Sequence, residues 1–310
     1  MTLSKVAEKA GVAIDTARRA LRNEPSVRPY IRERVVKAAE QLDYSPNLIA
    51  RALRDKNVSL IPISVNPFNQ HYFGMLSFEF ARKLVDIGME PALCFNTEHL
   101  TRMCKSFRVR GCLLAEGTRD ELIEELARKF KVIVVNLRYS GSCAGRVSVD
   151  FDGVYRKLAR RLLEEGRRSI AIVSEIYVRA MNRGWSLEKF PVVLRMLKRE
   201  GLELAGGRVF ETAEEFAAWM RESGKRADAV LCEQDMIAAM VIGEMARMGL
   251  RTPEDILVVG CDASLVLPGA WSVKLDNEVI AGMAVELLRK ALESGEPLEP
   301  VVYKPVLVDC

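Results

Sequence analysis

The chain has 310 residues, 49% of them apolar and 28% charged, which is enough for two or three domains with a sizeable core and leaves no run long enough to cross a bilayer. Its seven cysteines include no CxxC pair and it has two histidines, so a disulfide framework and a zinc module are both disfavoured. The net charge of +4 is placed unevenly: residues 1–57 hold twelve Lys and Arg against seven Asp and Glu, and the other 253 hold 34 against 35.

That distribution is the electrostatic footprint of a small nucleic-acid-binding head on a nearly neutral body. Lys5, Glu8 and Lys9 interrupt any apolar signal region, so the expected compartment is the cytoplasm. The spacing of Val6, Ala7 and Ala10 predicts a first helix over 3–10, stopped by Gly11. A second is predicted over 14–22, with Ala17, Ala20 and Leu21 inward. A third, over 30–42, has Pro29 at its first turn and an apolar stripe of Ile31, Val35, Ala38, Ala39 and Leu42. Two helices joined by a short Gly-containing turn describe a helix-turn-helix, whose second helix reads the major groove. A plain three-helix bundle with a charged outer face fits the spacing equally well. Residues 44–56, YSPNLIARALRDK, read as a short basic helix whose Leu48, Ile49 and Leu53 have no partner in a finished bundle. Such a segment can fold on a partner, or wedge a minor-groove step.

From residue 58 onward, short apolar strands alternate with amphipathic helices, which predicts parallel sheets covered by helices. The C-terminal VVYKPVLVDC reads as a final strand pair without a heptad extension. The acids and amides in LCEQD and VGCD stand where open α/β sheets place ligand contacts. There is no phosphate-cradling glycine loop, no G-x-S-x-G elbow and little histidine for proton transfer, so neither an enzyme nor a cofactor is expected.

LSKVAEKAGVAIDTARRAL, followed by RERVVKAAEQLDYSPNLIARALR, resembles the head and hinge of the lac-repressor (LacI/GalR) family of bacterial transcription regulators. The resemblance extends through ADAVLCEQDMIAAMVIGEMARMGLRTPEDILVVGCD to nearly the whole chain. It implies an all-α helix-turn-helix head (1–45), a hinge helix (46–57) and a two-subdomain α/β effector domain (58–310) similar to periplasmic sugar-binding proteins. The implied activity is a homodimeric repressor on double-stranded operator DNA, modulated by a small molecule, most often a sugar.

By position, Ile14, Asp15 and Arg19 fall where the family reads bases. Thr16 and Arg22 fall where it contacts backbone. Asn47, Ala50, Arg51 and Leu53 belong to the hinge, with Leu53 as the minor-groove wedge. Tyr72 and Phe73 match a cleft-facing aromatic pair, Asp150 an acid near the crossover, Gln234 and Asp235 an Asn-Asp pair, and Asp262 the acid that binds ligand hydroxyls. Trp185 and Trp271 are candidate stacking platforms.

The sequence also departs from the family. Ala13 and Arg18 replace serines, and an added Arg can bond phosphate or guanine. Lys189 replaces the Arg that binds the effector, and Val192 and Val193 replace its Gly-Phe pair, so a planar fork becomes a point charge. An altered operator is expected with DNA binding intact. The cleft takes either an unusual ligand or, having drifted, none, responding then to a protein partner if to anything. A plain solute-binding protein is a further rival, disfavoured by the basic head.

Overall fold

In the computed structural model the chain divides into two compact units, Met1–Val58 and Ser59–Cys310. The residues described are 2–21, 23–44, 59–66, 71–116, 120–135, 139, 141–183 and 189–309. The predicted hinge over 46–57, with Asn47, Ala50, Arg51 and Leu53, lies outside them, as do Arg22 and Trp185.

Among its described residues the first unit packs three helices, α1 (Leu3–Ala10), α2 (Ile14–Leu21) and α3 (Pro29–Gln41), around Val6, Ala7, Ala10, Ala17, Ala20, Val35, Ala38 and Ala39. These small side chains let the helices approach closely. Gly11 ends α1 in the left-handed region, at φ +62°, and its N–H donates to the carbonyls of Ala7 and Glu8. A side chain there would press on Arg34, which reaches from α3 to donate to the Ala10 carbonyl at 2.5 Å. Arg32 holds the α2–α3 connection through the carbonyls of Glu24 (2.9 Å) and Val27 (3.2 Å).

The second unit contains two six-stranded sheets. The first runs β1 (Leu60–Asn66), α4 (His71–Asp86), β2 (Glu90–Cys94), α5 (Thr97–Phe107), β3 (Gly111–Glu116), α6 (Asp120–Ala127), β4 (Lys131–Val135) and β5 (Gly145–Val149). The chain then crosses into α7 (Phe151–Glu164), β6 (Ser169–Val173), α8 (Glu175–Arg183), α9 (Lys189–Glu200), β7 (Glu203–Leu204), α10 (Ala213–Ser223), β8 (Ala229–Cys232), α11 (Asp235–Arg247), β9 (Leu257–Asp262) and β10 (Trp271–Lys274). α12 (Asn277–Ser294) returns to pack on α4 and the first sheet, followed by β11 (Val301–Tyr303) and β12 (Val306–Asp309).

Strand order is β11-β5-β4-β3-β1-β2 in one sheet and β12-β10-β9-β8-β6-β7 in the other. All pairings are parallel except β10–β12. The inner strands β4, β6, β8 and β9 are buried on both faces, which is why they read as unbroken apolar runs. Along β6, Ile170 and Ile172 join the core under α7 and α9, whereas Ala171 and Val173 join the core under α10 and α11.

The predicted C-terminal strand pair is corrected here. β11 lies parallel to β5 and β12 antiparallel to β10, so the two strands enter different sheets across Lys304–Pro305. Three chain segments thus cross between subdomains, and Tyr303 ties them together. Its carbonyl accepts from the Asp150 N–H (2.9 Å), while its hydroxyl accepts from the Asp276 N–H (3.0 Å) and donates to the Lys274 carbonyl (3.5 Å). Among the described residues no helix is long and apolar enough to cross a membrane.

Candidate functional site

In the head, α2 presents Ile14, Asp15 and Arg19 to solvent and keeps Thr16 and Arg18 half-buried. Ala13 has no hydroxyl to cap this helix, and its carbonyl accepts from the Ala17 amide at 3.0 Å. Asp15 in the first turn supplies the negative charge that a helix N-terminus favours. Its two oxygens pair with Arg18 (2.6 Å) and Arg19 (2.9 Å). The one carboxylate therefore offsets part of the charge of both guanidiniums, a coupling that position-by-position reading did not foresee.

In the second unit, polar groups gather where β6, β8 and β9 end. Lys189, the first residue of α9, donates from Nζ to the Glu233 carbonyl at 2.6 Å. Glu233 accepts at Oε2 from the Ser174 hydroxyl (2.6 Å) and the Ile176 amide (2.8 Å), binding β8 to the start of α8. Burial raises its pKa, and the Ser174 and Ile176 donors and Lys189 oppose that. Burial likewise pushes the Cys232 and Cys261 thiols up, against the pull of Lys189. Gln234 is buried in the extended N-cap position of α11, and its side chain does not cap the helix.

Asp235 and Asp262 divide the remaining work. Asp235 is fully buried with both oxygens engaged: Oδ1 accepts from the Ser272 hydroxyl (2.7 Å) and Oδ2 from the Leu265 amide (3.1 Å). Ser272 in turn accepts from the Ala263 amide at 3.1 Å. Asp235 thus braces the loop that follows β9. Asp262 and Ala263 open this loop in the left-handed region, at φ +97° and +50°, a strained conformation for residues with a side chain. Asp262 Oδ1 accepts from the Ser264 amide (3.0 Å), whereas the buried Oδ2 has no hydrogen bond among the described residues. Burial pushes this carboxyl up to about 6, with Ser264 and Lys189 pulling it down and Asp235 adding to the rise.

The other predicted cleft residues are placed differently. Tyr72 and Phe73 stand edge to face at 5.0 Å in the first turn of α4, and the Tyr72 ring is buried in the core with Leu76 and Phe80. Asp150 follows β5 and caps α7 by accepting from the Gly153 amide at 2.9 Å. Trp271 is corrected. It starts β10 opposite Val259, three residues short of the Asp262 register, and Arg161 covers its ring at 3.7 Å. At about 3.3 Å per residue it is some 10 Å back from the strand end, as part of the core.

Sequence reading missed Glu233, Ser174, Ser264 and Ser272. Glu233 stood inside the LCEQD run, and a carboxylate there was the available signal.

Comparison with known proteins follows the same division. Residues 2–47 match bacterial regulatory proteins of the lacI family, and residues 159–309 match a periplasmic binding protein-like domain. Catabolite control protein A of Priestia megaterium is 23% identical, covering 98% of this chain and 96% of that protein; its counterpart from Staphylococcus xylosus is 25% identical with the same coverage. Among solved structures, the lac repressor dimer bound to operator and the anti-inducer ONPF superposes with a TM-score of 0.80 at 20% identity, covering 100% of this chain and 98% of that one. The CelR–cellobiose complex superposes with a TM-score of 0.66 at 24% identity, covering 99% and 98%.

Proposed function

The chain belongs to the lacI family of bacterial regulatory proteins and is a transcriptional regulator, and from that premise we propose that it is a cytoplasmic repressor whose operator binding is modulated by a small carbohydrate. One observation carries the effector half of this reading. Asp262 keeps a buried, unbonded Oδ2 at the strand ends, in a cluster whose electrostatics include the Lys189 ammonium. An acceptor and a donor in one cluster suit the hydroxyls of a neutral polyol. The similar CelR regulator was solved with cellobiose.

For the DNA half, Ile14, Asp15 and Arg19 read base edges while Thr16, Arg18 and Arg22 meet the backbone. Asn47, Ala50, Arg51 and Leu53 engage the minor groove at the operator centre. Two chains pair to present two heads, as expected for a pseudo-palindromic site. The support for pairing is an exposed apolar stripe on α4, Met75, Phe78 and Val85, beside Leu93 and Phe95 at the edge strand β2. Exposed apolar side chains grouped on a polar surface mark contact faces.

The test has two arms. In a gel shift at fixed salt, the protein's own promoter should bind more tightly than a scrambled duplex, and equal, salt-quenched affinity for both removes the repressor reading. In a thermal-shift panel of mono- and disaccharides, at least one sugar should raise the melting temperature by mass action and alter promoter affinity. A panel with no such sugar removes the carbohydrate.

A further inference from the structure

The outer groove between α7 and α9 is lined by a different set of groups from those of the strand ends. Asp152 and Arg156 of α7 and Arg195, Met196, Arg199 and Glu200 of α9 surround a surface pocket of about 170 Å³. Met196 is buried and forms an apolar floor, while Arg195 and Arg199 are exposed one turn apart on the same helix. Like charges at that spacing repel on a bare helix, and a third guanidinium faces them. Two built-in acids meet part of this charge: Asp152 pairs with Arg156, and Glu200 with Arg199 at 3.3 Å. Arg195 has no ion pair among the described residues, and the buried Nε of Arg156 has no hydrogen bond. The pocket therefore holds net positive charge and guanidinium donors left over.

We propose that this groove binds a phosphate group of a small phosphorylated molecule, at a site separate from the strand-end cluster. Guanidinium forks match the spacing of phosphate oxygens and bond them in pairs. The volume leaves room for a phosphoryl or diphosphoryl group with a few waters. α9 also carries Lys189 at its first residue, so an anion drawing α9 onto α7 acts on the helix that supplies the strand-end ammonium.

The experiment is calorimetric titration of the full chain with inorganic pyrophosphate at constant ionic strength, with citrate as the carboxylate arm. Because the head also attracts phosphates, the comparison that decides is with R195Q/R199Q, whose exposed positions leave the core intact. Saturable pyrophosphate binding, weakened at least tenfold in R195Q/R199Q while promoter binding is retained, is the expected result. R195K/R199K keeps the charge without the forks and should fall between the two. Equal binding by wild type and R195Q/R199Q overturns the site, and citrate binding as tightly as pyrophosphate overturns the phosphate assignment.

Discussion

At the scale of single residues, two carboxylates hold opposite positions. Asp15 is exposed and shared between Arg18 and Arg19, so its pairs contribute little to stability and much to what the head shows DNA. Asp15→Asn removes a proposed base-edge acceptor and releases Arg18, the proposed backbone contact, from its carboxylate partner. The expected outcome is tighter binding to random duplex, a slope of log affinity against log salt steeper by about one per head, and a smaller ratio of promoter to random affinity, all read by fluorescence anisotropy. An unchanged salt slope would count against a phosphate role for Arg18. Asp262 is buried, and its carboxyl stands at about 6 against 3.8 for the unperturbed group. Between those values the folded chain keeps a proton that the unfolded chain has lost. The stability this group contributes is therefore fully present below about pH 4 and is lost as pH rises through 6, the ionised group costing about 3 kcal/mol at pH 7. Asp262→Asn should raise the melting temperature at pH 7, with a gain that vanishes near pH 4. Effector binding runs the other way, since an ionised Oδ2 is the acceptor: affinity for the wild type's sugar should drop about tenfold per pH unit below 6. A binding curve flat from pH 5 to 8 refutes the assignment of Oδ2 as that acceptor.

At the scale of elements, the brace built on Asp235 depends on an adjacent strand residue without a side chain. A Cβ at Gly260 in β9 would lie 2.1 Å from Asp235 Oδ1, and the fully buried carboxylate has nowhere to retreat. Gly260→Ala should therefore cost about 2–3 kcal/mol, seen as a lower urea midpoint with an unchanged slope. It should be strongly non-additive with Asp235→Ala, because one variant removes what the other collides with. Additive losses would show that the contact is not the cause. The elements themselves were largely readable beforehand. α1 begins and ends where Val6, Ala7, Ala10 and Gly11 placed it, and the apolar runs at the centre of the body became strands buried on both faces. Their assembly was less readable. The two C-terminal strands part into separate sheets because β10 and β5 each have an open edge, and neither edge is encoded near residue 304. The knot at Tyr303 joins residues 150, 274 and 276, a conjunction that exists only after folding. The same limit applied to the strand ends. LCEQD pointed to polar groups but could not say that Asp235 faces Ser272 while Asp262 keeps an open oxygen. Trp271 misled for a related reason: an indole serves a ring-stacking site or a core equally well, and Arg161, 110 residues away in sequence, made it core.

At the scale of the whole molecule, regulation requires that two reading helices act as one. A single head makes few base contacts, and joining two turns the second contact into an intramolecular event, with gains of 10²–10⁴-fold in typical cases. The joint must therefore lie in the larger unit, where buried area is available. The α4 stripe qualifies: Phe78 is 58% exposed and Phe95 72%, levels at which aromatic rings in water forgo the burial that a partner would supply. Arg82 and Lys83 on the same helix are already occupied by Glu278 at 2.8 and 2.9 Å, so their charge is met within one chain and does not oppose a second copy. Phe78→Glu places a charge in this patch and leaves the core behind α4 untouched. Light scattering after gel filtration should then report a monomer of unchanged melting behaviour at low concentration. Its promoter affinity should fall by at least a hundredfold, toward that for random duplex, because avidity is lost while each α2 surface is intact. Sugar binding, a property of one chain, should persist. A Phe78→Glu protein that stays dimeric moves the interface elsewhere on the unit, whereas a monomer that still prefers its promoter by the wild-type margin would mean that one head suffices and that pairing serves some purpose other than reading DNA.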